Sequence, residues 1–420
     1  MDEERTVQAL LGLRDDEGGP PSVDLGTAMR VGRGRLRRRR TAQASAGAVV
    51  AVAVVVAVPT VLHLVREPDR PASSVVAAPG GAASPPTAAT SPSTAAGPTS
   101  LSCVETRLPV PQTNQEALVG GADPTGHYLI GRVYQNGRPT QPIIWHDGQY
   151  QTLSMSGSDP DLTDITPAGV AVGVSFPSGL DSTGWIYQDG RLTKLKGPYG
   201  AEPRAIADNG IIAGTETTRD SLEYPIVWHS PTSTAVRLPL PGPNWMGQAD
   251  DVDSDGTIVG TVRPSVTSDE SRGIVWRPGG GYQLLPVPTG IVAGANGLEV
   301  HSIRDGVIVA AGTVTDQKSK SMTPVLYRLS TAAFAPLPQA NLSIAAGNAQ
   351  GRIVGSGAYL AATVYTPSTG IVSLPTLVPQ STSSPTLAAI PNTISDDGSI
   401  IGGQDVDAKG VIHAVRWTCH

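Results

Sequence analysis

After residue 100, short apolar runs alternate with clusters of glycine, proline, serine and aspartate, which is the pattern of short strands joined by turns. One phrase stands out, "DGTIVG" at residues 255–260, in which a turn glycine precedes an apolar run and a second glycine. Similar phrases align on seven turn glycines, namely Gly126, Gly169, Gly210, Gly256, Gly306, Gly351 and Gly398. Seven copies of one unit predict a repeat domain.

Each copy continues with a second apolar run that ends on an aromatic residue, about 14–21 residues after the turn glycine. These aromatic residues are Trp145, Tyr187, Trp228, Trp276, Tyr327, Tyr365 and Trp417. A third run usually ends in Leu-Pro, as in "RLPLP", and a fourth precedes the glycine, as in "RAIADN". Four strands in a period of about 41–50 residues are typical of a β-propeller blade. We therefore predict an all-β, seven-bladed propeller of four-stranded antiparallel blades over residues 101–420.

The two ends of this domain complement each other. The seventh copy stops at "HAVRWTCH" without a Leu-Pro strand, whereas "SCVETRLPVP" at residues 102–111 has a Leu-Pro phrase and no preceding copy. The N-terminal strand is thus expected to complete the last blade and to leave no free sheet edge.

Cys103 and Cys419 are the only cysteines. By their offsets from Leu108 and Trp417 they correspond to Gly280 and Pro278 of the fourth copy, at the tip of one hairpin. We expect them to form a disulfide across the closure, in an oxidising compartment. In the chain-entropy model a loop of this length stabilises the fold by at most about 5 kcal/mol.

The first hundred residues divide into three segments. An arginine-rich run ends at Arg40, and residues 43–65 form an apolar stretch long enough to cross a bilayer as one helix. The arginines place the leader, residues 1–40, in the cytoplasm and the propeller outside the cell. A cleaved signal peptide is the alternative. Residues 66–100 are rich in Pro, Ala, Ser and Thr, which predicts a disordered stalk that reaches up to roughly 100 Å.

The formal net charge of −6 argues against a nucleic-acid partner, because phosphate binding needs an extended basic surface. The one basic run lies at the predicted membrane boundary, where it sets topology. The chain has no nucleophile-elbow, Walker or dinucleotide-binding motif, and its seven histidines show no HxxxH or HxH spacing. The sequence therefore assigns no catalytic residue, cofactor or metal, and it favours structural or exposed roles for the histidines.

Two phrases carry a resemblance to a known family. "AIADNGIIAG … PIVW" and "TISDDGSIIGG … HAVRW", the latter containing His413, resemble the HAF-repeat family of extracellular β-propellers. The similarity covers about residues 103–420, and it implies a propeller without implying a reaction. Several copies lack the His and use Tyr in place of Trp. The layout of the first hundred residues is similar to that of membrane-anchored actinobacterial proteins.

One acidic phrase is a candidate for calcium. Asp251, Asp253 and Asp255 occupy alternate positions before Gly256, as acidic residues do at the start of a calcium loop. The position that would need a bidentate Glu holds Val262. Because "IADNG" and "ISDDG" occupy the same place in other copies, Asp255 is expected mainly to form the turn.

Binding candidates lie in the loops between a Leu-Pro strand and the next first strand, which meet on one face of a propeller. Tyr199 and Trp245 are aromatic residues in such loops, outside the blade pattern. If exposed they would act as recognition anchors, and if packed between blades they would belong to the core. The expected function is noncatalytic binding of an extracellular protein, peptide or glycan by a protein held in the membrane by its own helix.

Two alternatives remain open. The first is an extracellular glycoside hydrolase or lyase, for which Asp250 with Asp251, or Asp269 with Glu270, could supply the carboxylates if loops bring them together. The second is a transmembrane sensor that signals through the leader.

Overall fold

A computed structural model describes the propeller domain with short gaps. It covers residues 101–113, 115–135, 138–178, 181–268, 270–289, 297–315, 320–335, 337, 342–356, 361–378 and 389–420. The predicted leader, transmembrane helix and stalk lie outside the described residues, and so does Asp269. Within the described ranges, no helix has the length and apolar character needed to span a bilayer.

The described residues form seven antiparallel sheets of four strands each. The chain begins with β1 (Cys103–Arg107), which belongs to the last blade. Blade 1 contains β2 (Ala117–Ala122), β3 (Tyr128–Gln135), β4 (Arg138–His146) and β5 (Gln149–Thr152). Blade 2 contains β6 (Ser158–Ile165), β7 (Ala171–Ser178), β8 (Asp181–Gln188) and β9 (Arg191–Lys194). Blade 3 contains β10 (Ala201–Ile206), β11 (Ile212–Thr217), β12 (Glu223–Trp228) and β13 (Val236–Arg237).

The second half of the ring repeats this order. Blade 4 contains β14 (Met246–Val252), β15 (Ile258–Arg263), β16 (Arg272–Trp276) and β17 (Tyr282–Leu284). Blade 5 contains β18 (Leu298–Arg304), β19 (Val307–Thr315), β20 (Lys320–Arg328) and β21 (Ala333–Ala335). Blade 6 contains β22 (Ser343–Gly347), β23 (Ile353–Ser356), β24 (Ala362–Thr366) and β25 (Gly370–Ser373). Blade 7 contains β26 (Ile390–Ile394), β27 (Ile400–Val406), β28 (Ile412–Cys419) and β1.

The blades form a closed ring, which confirms the predicted seven-bladed propeller. The first strand of each blade contacts the first strands of both neighbouring blades, and β2 of blade 1 contacts β26 of blade 7. The first strands therefore surround the central axis. Blade 7 has the strand order β1-β28-β27-β26, so the N-terminal strand completes the last blade as predicted. The seven described sheets and the contacts that close the ring lie within residues 101–420, so this fragment contains the ring as described.

The disulfide between Cys103 and Cys419 is confirmed, with a Cα–Cα distance of 4.0 Å. The two residues face each other as direct register partners of β1 and β28, because these strands extend past the point where the fourth copy turns. Their neighbours Ser102 and His420 exchange backbone hydrogen bonds of 3.2 and 2.9 Å. The cysteines thus occupy the non-hydrogen-bonded position, where side chains of paired strands approach most closely.

The apolar core is divided into layers between blades. One buried cluster combines Ala205 and Val227 of blade 3 with Ile258, Ile274 and Trp276 of blade 4. Equivalent clusters join blades 6 and 7, 4 and 5, 1 and 7, 1 and 2, 2 and 3, and 5 and 6. Each blade buries its apolar faces against its neighbours, so a single blade has no core of its own.

The two glycines of the repeated phrase are required for different structural reasons. Gly256 adopts a φ of +87°, in the region that side chains disfavour, and closes the turn between β14 and β15. Gly260 packs against the first strand, where a Cβ atom would lie 2.1 Å from the carbonyl oxygen of Gln248. The phrase therefore combines a turn requirement with a close backbone approach.

The four tryptophans that occupy the repeated aromatic position connect neighbouring blades. The indole Nε1 of each donates to a backbone carbonyl just after the outer strand of the preceding blade, in the pairs Trp145 with Pro109, Trp228 with Lys196, Trp276 with Pro239 and Trp417 with Pro375. The four distances are 2.7, 2.6, 2.7 and 2.8 Å. Three of the acceptors are the proline of a Leu-Pro phrase, which explains why the two sequence features recur together.

Replacing Trp228 with phenylalanine should lower the free energy of unfolding by about 0.5–1.5 kcal/mol, because the carbonyl of Lys196 would lose one of its two hydrogen bonds and keep the one from Ala235 N–H. Chemical denaturation of the 101–420 fragment measures this. Trp245→Phe is the matched control, since the structure describes no hydrogen bond from the Trp245 indole, and it should change stability much less. Equal losses for the two variants would contradict the role of the indole N–H.

Candidate functional site

A β-bulge occurs at the same place in every first strand. The register shift leaves one extra residue in each, namely Gly120, Thr163, Arg204, Asp250, His301, Ala345 and Asn392. A bulge redirects a side chain out of the regular alternation of the strand. These seven residues are half-buried, whereas the residues before them on the strand are mostly buried. They form a ring around the central channel, which we call the bulge ring.

Some polar side chains of the bulge ring form hydrogen bonds with other residues of the protein. The hydroxyl of Thr163 donates to the carbonyl of Pro203 at 3.1 Å, and Nδ2 of Asn392 donates to the carbonyl of Val119 at 2.7 Å. The guanidinium of Arg204 donates to Oε1 of Gln248 at 2.6 Å. These bonds join neighbouring first strands and hold the ring together.

The side of the channel formed by blades 4 and 5 differs from the rest of the ring in its hydrogen bonding. Oδ2 of Asp250 and Oγ of Ser302 are buried atoms without a hydrogen-bond partner in the described structure. Over the same residue ranges, the side chains of Glu299 and His301 form no hydrogen bond. We call these four residues the channel wall. The other carboxyl oxygen of Asp250, Oδ1, lies 3.8 Å from Nη1 of Arg204.

Burial controls the ionisation of this wall. It raises the pKa of Asp250 to about 7, although the guanidinium of Arg204 and the hydroxyl of Thr261 act in the opposite direction. It also lowers the pKa of His301 to about 4, so the imidazole is neutral at physiological pH. The wall therefore presents a neutral imidazole beside a carboxyl group that binds a proton near neutral pH.

Asp250→Asn should stabilise the fold at pH 8 by about 1–3 kcal/mol and have little effect near pH 4. The folded-state pKa of Asp250 is raised, so its contribution to stability is fully present below its unfolded-state pKa and is lost as pH rises through about 7. His301, with a lowered pKa, contributes in the opposite direction when pH falls from about 6.5 towards 4 in both proteins. Denaturation curves of both proteins at pH 4, 6 and 8 test this, and a pH-independent difference would contradict it.

The end of the channel at which the first strands terminate is occupied by Arg304. Its Nη1 donates to Oδ2 of Asp251 at 2.7 Å, and its Nε lies 3.9 Å from Oδ1 of Asp396. Although burial acts against it, these carboxylates together with Asp164 raise the pKa of the guanidinium above its usual range. Because the carboxylates come from blades 2, 4 and 7, the Arg304 side chain reaches across the axis. We call this group the arginine plug.

The acids of the plug are held by backbone donors as well. Asp251 accepts from the backbone N–H groups of Val252 and Ile303 at 2.9 and 2.8 Å, and Asp164 accepts from those of Ile165 and Ile206 at 2.9 and 2.8 Å. Burial raises the pKa of Asp164 to about 7. Each of the two carboxylates bonds the first strand of the next blade, so they are structural links.

The three carboxylates that were candidate calcium ligands accept hydrogen bonds from different groups of the protein. Asp251 binds Arg304, Asp253 accepts from the backbone of Asp305 and Gly306 at 3.0 and 2.7 Å, and Asp255 accepts from Thr257 N–H at 2.7 Å. No group of three or more His, Cys, Asp or Glu residues arranged to hold a metal occurs in the described ranges. The structure thus does not bring these carboxylates together around one point.

Tyr199 lies at the opposite end of the ring, shortly before β10, and 40% of it is exposed. Its hydroxyl donates to Oδ1 of Asp181, and the guanidinium carbon of Arg219 lies 5.0 Å from the ring centroid. These contacts orient an exposed aromatic ring on the face where the loops between blades meet. Trp245, in the next such loop, packs instead against the core cluster of blades 3 and 4.

A pocket of about 350 Å³ lies on the other face, between the turns of blades 2 and 3. Its lining includes Pro167, Gln188, Asp208, Asn209 and Pro231. Asn209 already uses its side chain to bond Ile211 N–H and the carbonyl of Ser254. The pocket is therefore built largely from turn residues that hold neighbouring blades together.

The sequence did not single out the channel wall. Among its residues only Asp250 was a candidate, paired with Asp251, and the structure directs those two carboxyl groups to Arg204 and Arg304 respectively. His301 was expected to be structural or exposed. The sequence feature that could have indicated the channel wall was the alternation of polar residues in "LEVHSIR" at 298–304, which differs from the apolar first strand "ALVGGA" of blade 1.

No protein-family model and no curated protein matches the sequence. Solved structures with a similar fold include the β-propeller domain of the Trilobed protease from Pyrococcus furiosus, with 10% identity over 72% of this chain and 95% of that chain and a TM-score of 0.49. TolB from Acinetobacter baumannii has 13% identity over 70% of this chain and 64% of that chain, with a TM-score of 0.39. Prolyl oligopeptidase B from Galerina marginata has 9% identity over 71% of this chain and 51% of that chain, with a TM-score of 0.48. This chain thus spans less than two thirds of the latter two proteins, and the likenesses concern the fold alone.

Proposed function

We propose that the protein is a noncatalytic binding module of the HAF-repeat type, displayed outside the cell on a membrane anchor, for a protein, peptide or glycan ligand. The observation that supports this most is the oriented, exposed ring of Tyr199 on the face where the loops between blades meet. Holding an aromatic side chain in place before binding reduces the entropy lost on association.

The extracellular placement is supported by the disulfide, since such bonds persist in oxidising compartments, and by the predicted helix at residues 43–65. Protease added to intact cells should release the propeller while the leader stays protected. Protection of the propeller under conditions that cleave a known surface protein would contradict this placement.

Tyr199→Ala should weaken binding of the 101–420 fragment to isolated Gram-positive cell envelopes by about tenfold or more, as expected for a central aromatic anchor. A sedimentation assay with labelled fragment measures the affinity. Tyr282→Ala is the matched control, because Tyr282 is exposed to a similar extent, 42%, but lies on the outer strand β17. Equal affinities of the two variants, or no envelope binding by the unchanged fragment, would contradict the proposal.

An extracellular glycoside hydrolase or lyase is the second candidate. It is favoured by the proximity of Asp250 and Glu299, because the negative charge of Glu299 contributes to raising the pKa of Asp250 to about 7. Two carboxyl groups of which one retains its proton are what acid catalysis of glycoside cleavage requires. Release of reducing sugar from cell envelopes, abolished by Asp250→Asn, would establish this activity and replace the noncatalytic proposal.

The transmembrane sensor stays a prediction, because the leader lies outside the described residues. Recovery of a cytoplasmic regulator with residues 1–40 as bait would support it.

A further inference from the structure

The channel wall is distinguished by what its polar groups lack. Around the bulge ring, Thr163, Arg204 and Asn392 use their side chains to bond neighbouring blades. In contrast, the described structure has no hydrogen-bond partner for the imidazole of His301 or for Oδ2 of Asp250. Buried polar groups are normally paired by protein, water or ligand, because leaving them unpaired costs about 1–3 kcal/mol each. Oδ2 of Asp250 and Oγ of Ser302 are two such groups, and they lie on one wall with the side chains of Glu299 and His301, for which the described structure shows no hydrogen bond; together they indicate a place for an external partner.

The arginine plug fixes the side from which that partner would enter. Strand β18 runs along the axis, with Glu299 nearest the face of Tyr199, His301 in the middle and Arg304 at the far end. The plug closes the far end through its bonds to Asp251 and its approach to Asp396. A ligand would therefore enter from the face of Tyr199.

The small residues of the bulge ring leave room beside this wall. Ala345 follows His301 around the ring, and Gly120 follows Asn392. Because Ala345 has a side chain of one carbon atom, the first strand of blade 6 adds little bulk beside His301. A ligand that entered from the face of Tyr199 would approach His301 past this position.

The chemistry of the wall selects the ligand. A carboxyl group that keeps its proton near neutral pH donates and accepts, as do a neutral imidazole and a hydroxyl, while the Glu299 carboxylate accepts only. Adjacent donors and acceptors match hydroxyl groups, each of which also donates and accepts. The negative charge of the Glu299 carboxylate disfavours an anionic ligand.

We infer that Asp250, Glu299, His301 and Ser302 form a subsite for one sugar residue of an extracellular glycan, with Tyr199 on the face that leads to it. This inference rests on the proposed binding function and names its ligand class. The terminal sugar would enter the channel, with its hydroxyl groups bonded to the wall and the rest of the glycan extending past Tyr199.

The test observes His301 in the intact fragment 101–420 by NMR of its histidine side chains, with His301→Phe used to assign the signal. Glucose, galactose and N-acetylglucosamine are added in turn at millimolar concentrations. We expect at least one neutral sugar to shift the His301 signal while the signals of His229 and His413, which lie away from the channel wall, stay unchanged. Glucuronate, the anionic match to glucose, should bind more weakly than glucose.

Affinity measurements on variants provide the second arm. His301→Phe and Glu299→Gln should each weaken sugar binding by about 10- to 100-fold, because hydrogen bonds to the ligand are lost. Thr163→Val is the control on the opposite wall, and it should bind the sugar as the unchanged fragment does. Melting curves of each variant confirm that it is folded, and the NMR arm needs no variant except for assignment.

The outcomes separate this inference from the proposed function. If no sugar moves the His301 signal, or if His301→Phe binds as well as the unchanged fragment, the subsite is wrong. Envelope binding that still depends on Tyr199 would then leave the proposed function standing. Sugar binding in the channel without any envelope binding would support the subsite and remove the proposed cell-surface role.

Discussion

Replacing Arg304 with methionine is expected to lower the free energy of unfolding by about 3–5 kcal/mol, because it removes the only cation of the arginine plug. The carboxylate of Asp251 is buried and would keep its backbone donors but lose its charge partner, and Asp164 and Asp396 would lose the cation that lies near them. Chemical denaturation of the 101–420 fragment at pH 7 measures the loss.

Two further variants identify the cause. Arg304→Met combined with Asp251→Asn should recover part of the lost stability, since removing both charges of a buried pair costs less than removing one. Arg272→Met is the surface control, because Arg272 lies 3.5 Å from Glu270 in a more exposed pair and should change stability by about 1 kcal/mol or less. If the double variant were less stable than Arg304→Met alone, uncompensated charge would not be the reason for the loss.

Reduction of the Cys103–Cys419 disulfide should lower the stability of the fragment by about 2–5 kcal/mol, with a Tm lower by on the order of 5 °C. The bond closes a loop with a sequence separation of 316 residues and ties β1 to β28 at the free end of the N-terminal strand. Without it, β1 is held by its backbone ladder and by the bonds from Leu108 N–H to Ala414 and from the Trp145 indole to Pro109.

Intact mass with and without reductant, together with melting curves in both states, provides the measurement. Loss of the bond adds two hydrogens, about two daltons, and the double variant Cys103→Ser/Cys419→Ser should melt like the reduced protein and be insensitive to reductant. Free thiols in the purified fragment, or equal melting of both states, would show that closure of the ring does not depend on the disulfide.

The blade pattern could be predicted because it is local. The turn glycines all have positive φ, from +69° at Gly306 to +87° at Gly256, and a residue that needs this conformation is visible in the sequence as glycine. Likewise the recurring aromatic residues and Leu-Pro phrases lie at fixed distances along the chain. This fixed spacing along the chain reflects a hydrogen bond between neighbouring blades, such as the one that the Trp417 indole donates to the Pro375 carbonyl.

The closure of the ring could also be predicted from the sequence, since the strand missing at the C-terminal end of the domain was present at its N-terminal end. The position of the cysteines was predicted only approximately. They were matched to the tip of a hairpin in the fourth copy, whereas in blade 7 there is no hairpin and the two strands pair as far as Cys103 and Cys419.

The channel could not be predicted in the same way. Each first strand contributes one bulged residue, and a bulge depends on how two strands register, which the order of polar and apolar residues does not reveal. Asp250 and His301 are 51 residues apart in the chain and become neighbours only through the ring of first strands. Arg304 meets acids from three other blades in the same way.

The amino-acid sequence by itself therefore determined the fold class, the number of blades, the closing strand and the disulfide, because each follows from residues that repeat or complement one another along the chain. Only the tertiary structure decided which polar side chains meet on the axis, which of them are already paired, and that Tyr199 is exposed while Trp245 is packed. The physical reason is that a propeller builds its axis from one short segment of every blade, so neighbours at the site are distant in sequence and unpaired groups become visible only once all seven blades are in place.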